Sequence, residues 1–72
     1  MSSTTESQTV IVNGESMRLP QPCSIDDLIE KMDVSARYAV EINGDIVPRS
    51  VHASHFLADG DIVEIVAAIG GG

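Results

Sequence analysis

The chain of 72 residues carries eleven Asp and Glu, four Lys and Arg, and a formal charge of −7. This length fits one domain, and the acidity, together with one Tyr and one Phe, excludes binding to phosphate backbones, stacked bases or anionic lipid. One cysteine, no apolar run of membrane-spanning length and no apolar signal core predict a cytoplasmic protein without disulfides.

The first predicted element is a β-hairpin around the Asn-Gly pair at residues 13–14. Asn-Gly between two short apolar runs is a strong hairpin signal, because a type I′ turn needs positive φ at both central residues. Pro20 and Pro22 are expected to end the second strand, since proline lacks the N–H that a ladder requires. Residues 1–8, rich in Ser and Thr, are predicted to form a flexible N-terminal extension ahead of a domain spanning residues 9–67.

A short amphipathic helix is predicted to begin after Ser24. The Ser24 hydroxyl can cap the N–H of Asp27, and Asp26 and Asp27 place negative charge in the first turn, where the helix dipole favours it. An apolar stripe at i, i+3, i+4 and i+7 marks the face that we expect to be buried. Its members are Ile25, Leu28, Ile29 and Met32.

Three further strands are predicted after the helix. Alternation across residues 38–43 indicates a third strand, which a turn at residues 43–45 separates from a short fourth strand cut off by Pro48. Residues 50–56 show no clear period and are expected to form a loop or a helical turn, and the last strand covers residues 62–67. This order predicts an α+β domain in which one main helix packs on one face of a small mixed sheet.

The last strand has two chemically different faces. Glu64 should avoid the core, because an unpaired buried carboxylate is unfavourable, so the face with Val63 and Ile65 is expected to meet the helix. By the same argument Glu41 points away from the helix. The open face is then a candidate docking surface of aliphatic and acidic side chains, although exposed aliphatics are also ordinary on protein surfaces. It comprises Ala39, Glu41, Ile62, Glu64 and Val66.

Residues 68–72 form a predicted flexible tail that ends in three glycines directly after the last strand. Because glycine has no side chain, such a tail is thin and mobile enough to thread a narrow channel. The terminal carboxylate of Gly72 can therefore approach another protein's active site, with Ile69, Gly70 and Gly71 as the partner-binding segment. The alternative is an inert flexible end.

Other chemistries find little support in the sequence. His52 and His55 are three residues apart, but no recognisable set of further metal ligands accompanies them. Cys23 lies just before a helix N-terminus, which lowers a thiol pKa, but Asp26 and Asp27 oppose a thiolate there. No phosphate-binding glycine loop or triad spacing occurs, so we expect no catalytic and no metal-binding residues, and no enzyme acting alone.

Two segments and the tail resemble a known family. Residues 43–49 (NGDIVPR), residues 59–65 (DGDIVEI) and the terminal glycine pair at 71–72 are similar to the ThiS family, the sulfur carriers of thiamine biosynthesis. The similarity extends from Thr9 to Gly72. This resemblance implies a ubiquitin-like β-grasp fold, and Gly70 is one glycine more than the family's terminal pair.

The resemblance also implies a reaction sequence in which Gly72 is the modified residue. A ThiF-type, E1-like adenylyltransferase adenylates the terminal carboxylate with ATP and a metal ion. A sulfur donor system converts the adenylate to a thiocarboxylate, and a ThiG-type thiazole synthase takes the sulfur for the thiazole ring. The chain itself is then a carrier that binds no cofactor and is monomeric when free, rather than an enzyme.

Three alternatives stay open from the sequence. The small subunit of molybdopterin synthase has a similar fold, tail and chemistry, although the short length and the Val-Pro-Arg segment at 47–49 favour the thiamine branch. A ubiquitin-like modifier would be joined through Gly72 to lysines and would give isopeptide adducts. A simple interaction domain would keep full activity without Gly71 and Gly72.

Overall fold

The computed structural model describes residues 6–34 and 37–67, which form a mixed five-stranded sheet and one α-helix. The elements are β1 (Glu6–Val12), β2 (Glu15–Gln21), α1 (Ile25–Met32), β3 (Tyr38–Ile42), β4 (Asp45–Val47), a 3-10 turn (Arg49–Val51) and β5 (Ile62–Ala67). The strand order is β2-β1-β5-β3-β4, with β1 and β5 parallel and the other neighbours antiparallel. This architecture confirms the predicted α+β class.

The β1–β2 hairpin forms around the predicted Asn-Gly turn. Asn13 and Gly14 have φ values of 51° and 85°, the positive values that a type I′ turn needs. The register pairs Val12 with Glu15 and Val10 with Met17. Because side chains alternate along a strand, this register places Val10 and Met17 together on the face that the helix covers.

The first strand begins earlier than the sequence indicated. It starts at Glu6, which pairs with Gln21 in the register of the hairpin. Gln8 is buried, and its Nε2 donates a hydrogen bond to the carbonyl of Pro20 at 3.1 Å. The predicted extension over residues 1–8 is therefore wrong for residues 6–8, whose polar side chains concealed the strand. The remainder of that extension, residues 1–5, lies outside the described residues.

The second strand also runs further than predicted. It passes through Pro20 and ends at Gln21, whereas Pro20 was expected to end it. Because β2 is an edge strand in this sheet, one side of it has no neighbouring strand to receive an N–H. Proline is tolerated at such an edge, so Pro20 does not interrupt the hairpin.

Helix α1 begins with the predicted cap. The Ser24 Oγ accepts a hydrogen bond from the Asp27 N–H at 3.1 Å, and the Asp27 carboxylate accepts one from the Ser24 N–H at the same distance. This reciprocal capping box satisfies two donors at the helix start and contributes about 1 kcal/mol. The last helical residue is Met32, and the C-cap residue Asp33 has the left-handed conformation, with a φ of 59°.

The core lies between α1 and one face of the sheet. Val10, Val40 and Val63 of three adjacent strands are fully buried there, as are Ile25 and Leu28 of the helix. Met32 is half-buried and packs at the rim of this cluster, as the stripe predicted. The sheet face away from the helix has no covering element among the described residues, and it is where the candidate site lies.

Candidate functional site: the open sheet face and the root of the tail

The strand that leads into the glycine tail lies at the centre of the sheet. β5 pairs with β1 on one side and β3 on the other, and it ends at Ala67. Ala67 pairs with Tyr38, so the first residues of β3 border the point where the tail leaves the sheet. The predicted tail, residues 68–72, lies outside the described residues, and the structure defines its root at Ala67.

Two turn asparagines fix β5 from both sides. The Asn13 side-chain oxygen accepts a hydrogen bond from the Ile65 N–H at 2.8 Å. The Asn43 side-chain oxygen accepts one from the Ile62 N–H at 2.9 Å, and the Asn43 N–H donates to the Ile62 carbonyl at 2.7 Å. These contacts extend the hydrogen bonding of β5 beyond its ladders, so the strand that carries the tail has a fixed position.

The open face of the sheet exposes large aliphatic side chains. Ile62 and Val66 of β5 are 52% and 60% exposed, whereas Val63 between them is fully buried. Ile65 is half-buried against the core. Val63 and Ile65 thus lie on the helix side and Ile62 and Val66 on the open side, as the alternation predicted.

Acidic side chains lie in the middle of the same face. Glu41 of β3 is directly opposite Glu64 of β5, and Ala39 is directly opposite Val66. Like charges opposite each other on adjacent strands are unfavourable by a few tenths of a kcal/mol or more. The structure therefore brings all five residues of the candidate docking face together, with two carboxylates between aliphatic contacts.

Two residues of this face were not singled out from the sequence. Ile46 of β4 is 69% exposed and pairs with Glu41, and Ile11 of β1 pairs with Ile62. The alternation of Ile11 with the buried Val10 and Val12 was a usable signal for its face. Its neighbour across the sheet was not predictable locally, because β1 and β5 are far apart in the chain.

On the helix side of the tail root, Tyr38 contacts a histidine and an arginine. The rings of Tyr38 and His52 are stacked with centroids 6.0 Å apart and planes at 18°, and the Arg49 Cζ lies 4.9 Å from the Tyr38 ring centroid. His52 is buried, and its Nε2 donates a hydrogen bond to the Val47 carbonyl at 3.0 Å. Because a carbonyl oxygen can only accept, this contact places a proton on Nε2.

The two histidines lie between β4 and β5, and residues 6–34 and 37–67 contain no group of three or more His, Cys, Asp or Glu side chains able to hold a metal ion. His52 has a packing role, and the His55 carbonyl accepts a hydrogen bond from the Ile25 N–H at the helix start. Both histidines thus stabilise the segment between β4 and β5 and the helix that packs beside it.

Cys23 is buried beside the helix N-terminus. Burial raises the pKa of its thiol above the ordinary value, the negative charge of Asp27 raises this pKa further, and Lys31 opposes the increase. A buried thiol with a raised pKa is a poor nucleophile at neutral pH.

Over residues 6–34 and 37–67, no helix is long and apolar enough to span a membrane. The site is an open sheet face with acidic and aliphatic side chains, beside the C-terminal end of β5.

Comparisons with known proteins agree with this arrangement. The chain is 33% identical over 64 residues to the sulfur carrier protein ThiS of Escherichia coli, covering 88% of this chain and 97% of that protein. The crystal structure of the thiamine biosynthesis protein ThiS from Geobacter metallireducens superposes with a TM-score of 0.77 at 26% identity, covering 90% of this chain and all of that one. The fold is therefore the β-grasp fold that the resemblance implied.

A longer relative also contains a similar segment. The chain is 41% identical over 64 residues to a thiazole synthase of Paramagnetospirillum magneticum, of which it spans only 20% of the length. The model of the ThiS family matches residues 10–72, which is nearly the whole chain and includes the glycine tail. On this evidence the chain belongs to the ThiS family.

Proposed function

We propose that this chain is the sulfur carrier of thiamine biosynthesis, with the terminal carboxylate of Gly72 as the group that carries the sulfur. The main supporting observation is that β5, fixed on both sides at the centre of the sheet, ends at Ala67, with only two residues between it and the Gly70–Gly72 segment in the sequence. The family model extends through the same glycines. A rigid domain followed by a thin tail suits a carrier that delivers its end to other active sites.

The chemistry requires an activating partner. A carboxylate is a poor electrophile, so one oxygen of Gly72 first attacks the α-phosphorus of ATP and pyrophosphate leaves. A sulfur nucleophile then attacks the acyl carbon and AMP leaves, which replaces one oxygen by sulfur. ATP and its metal ion are substrates held by the partner, and the carrier supplies only the carboxylate.

The length of the tail determines how far Gly72 can lie from the domain surface that a partner recognises. Five residues follow Ala67, and a fully extended segment of that length spans at most about 18 Å. Gly72 can therefore lie inside a partner's active site while the sheet stays outside at the entrance. Recognition is then a property of the domain surface, whereas reactivity is a property of the partner.

We propose two partner classes, a ThiF-type adenylyltransferase and a ThiG-type thiazole synthase, with a sulfur donor system between them. The thiazole synthase of Paramagnetospirillum magneticum includes a segment similar to this chain within its own length. Covalent linkage replaces a bimolecular encounter by an effective concentration in the millimolar range. That arrangement supports the view that carrier and synthase act on the same sulfur atom.

The open face of the sheet is the surface that we propose for docking. Ile62, Val66 and Ala39 supply apolar contact, and the opposed Glu41 and Glu64 supply negative charge. A partner with basic side chains around an apolar patch would relieve the repulsion between these carboxylates while burying the aliphatic groups. Such a partner gains both affinity and specificity from this face.

Activation of the tail is the direct test of the proposed function. We would measure ATP–pyrophosphate exchange by the ThiF-type enzyme with the intact chain and with a variant lacking Gly72. The intact chain is expected to support exchange and the truncated variant to lose it while keeping its circular dichroism spectrum. Equal exchange with both would overturn the proposal.

A further inference from the structure

Two of the four basic residues of this acidic chain lie at the root of the tail. Arg37 is exposed and immediately precedes Tyr38, which pairs with Ala67 at the end of β5. Arg49 is exposed and lies against the Tyr38 ring, with its Cζ 4.9 Å from the ring centroid. We name Arg37, Tyr38 and Arg49 the tail-root corner. With a net charge of −7, this local gathering of positive charge is distinctive.

The position of Arg49 is supported by buried structure. Its ring partner Tyr38 stacks on His52, and His52 is buried and hydrogen-bonded to the Val47 carbonyl. The 3-10 turn that begins at Arg49 then continues to His52, whose N–H donates to the Arg49 carbonyl at 3.1 Å. A cation–π contact and a short turn thus hold the backbone and the guanidinium in one place, although the side chain itself is exposed.

Opposite charges lie on the two sides of the sheet near the tail. Tyr38 packs against the core, so the tail-root corner lies on the helix side. Glu41 and Glu64 lie on the open side of the same two strands that end at the corner. β5 therefore ends between a basic, aromatic surface on the helix side and an acidic, aliphatic one on the open side.

We propose that the tail-root corner contacts carboxylates at the entrance of the active site that receives the tail, and that Arg49 thereby sets the rotation of the carrier about its tail. A glycine segment has no side chains with which to define a rotation, so the surfaces flanking its root must do so. A basic contact on one side and an acidic contact on the other permit one orientation and make the reversed orientation repulsive.

The occupant we infer is a protein carboxylate and not the phosphate of the adenylate. The reacting end of the tail is five residues beyond Ala67, at a distance of up to about 18 Å in an extended tail. A group at the tail root would then be far from the reacting atoms in the extended state. Arg49 is accordingly a positioning residue, and its loss should affect encounter and orientation rather than the chemical step.

The inference rests on the proposed function and is tested in the same exchange assay with the ThiF-type enzyme. Arg49→Gln is expected to raise the KM for the carrier about two- to five-fold at about 0.01 M salt, with kcat unchanged. The increase should shrink at about 0.15 M salt, because screening shortens the range of the interaction. Arg49→Lys keeps the positive charge, so its KM should be close to that of the chain without substitutions.

A matched control has the same loss of charge elsewhere. Arg18 of β2 pairs with Thr9 of β1. Because β1 and β5 are parallel and Ile11 pairs with Ile62, Thr9 lies at the end of the sheet where β5 begins, away from the tail. Arg18→Gln is expected to leave the KM unchanged. Equal effects of Arg18→Gln and Arg49→Gln would overturn the inference, as would an unchanged KM in Arg49→Gln at low salt.

A folding defect must be distinguished from a loss of orientation. Thermal unfolding of Arg49→Gln is the first control, and Arg37→Gln gives a second variant at an exposed position outside the Tyr38–His52 stack. Arg37→Gln is expected to raise the KM in the same salt-dependent way but less, and an unchanged KM in both variants would contradict the inference. Failure of the intact chain to support exchange at all would instead overturn the proposed function.

Discussion

The two faces of the sheet contain similar aliphatic residues but have different roles. On the helix side, Val10, Val40 and Val63 are each 0% exposed. On the open side, Ile62 and Val66 remain more than half exposed, although both lie on β5, the strand that also carries Val63. Burial explains the first set, because it contributes free energy to folding. The second set gains little from folding, and we propose that it contacts a partner.

The largest expected effect belongs to the helix that covers the first face. Leu28 of α1 is fully buried in the core. Leu28→Ala therefore leaves a cavity and should lower the free energy of unfolding by about 2–5 kcal/mol. Urea unfolding followed by circular dichroism measures this change. A loss below about 1 kcal/mol would mean that the helix contributes less to the core than its burial indicates.

Val63 and Val66 form a matched pair that tests the comparison directly, since they lie on one strand and face opposite sides. Val63→Ala should destabilise the fold by about 2 kcal/mol, because its methyl groups are fully buried. Val66→Ala should stay within about 0.5 kcal/mol of the unchanged chain and should weaken binding to the activating enzyme. The comparison between the two faces is contradicted if Val66→Ala lowers the free energy of unfolding and Val63→Ala only weakens binding.

The helix cap gives a smaller effect on the covered side. Ser24→Ala removes the hydroxyl that accepts from the Asp27 N–H and should lower the free energy of unfolding by about 1 kcal/mol. Ser24→Thr keeps that acceptor and serves as the control. Equal stability of the Ala and Thr variants would show that the capping box contributes nothing measurable.

The smallest effect concerns pH and the buried thiol. Because burial raises the pKa of Cys23 in the folded chain, the unfolded thiol ionises first as the pH rises past its ordinary value of 9.0. Stability from this group is complete below that pH and declines above it. Unfolding measured from about pH 8 to about pH 10 should show this decline, and Cys23→Ala should remove the part due to the thiol. An identical decline in stability in the original chain and in Cys23→Ala would show that the thiol does not contribute to it.

Local signals predicted most of the elements. Ser24 with Asp27, the Asn13-Gly14 turn and the alternation in β5 are interactions between neighbours in the chain, and the structure contains all of them. The features that local signals did not predict depend on where a residue lies within the sheet. Pro20 lies within a strand because β2 is an edge, and Gln8 lies on the buried face of β1, where its Nε2 donates to the Pro20 carbonyl.

The candidate site shows the same division. Alternation along β5, together with the cost of burying the Glu64 carboxylate, predicts that Glu64 and Val66 lie on the open face. The opposition of Glu41 and Glu64 and the addition of Ile46 required the register between strands. The contacts among Arg49, Tyr38 and His52 were not predictable, since they join a turn to a strand through side-chain packing.

The central claim is that Gly72 carries sulfur, and the intact mass of the chain tests it most directly. The chain would be incubated with a ThiF-type adenylyltransferase, ATP and a sulfur donor system, and then weighed by mass spectrometry. The account predicts a gain equal to the replacement of one oxygen by sulfur, absent when Gly72 is deleted. An unchanged mass with an enzyme shown to be active, or the same gain without Gly72, would contradict it.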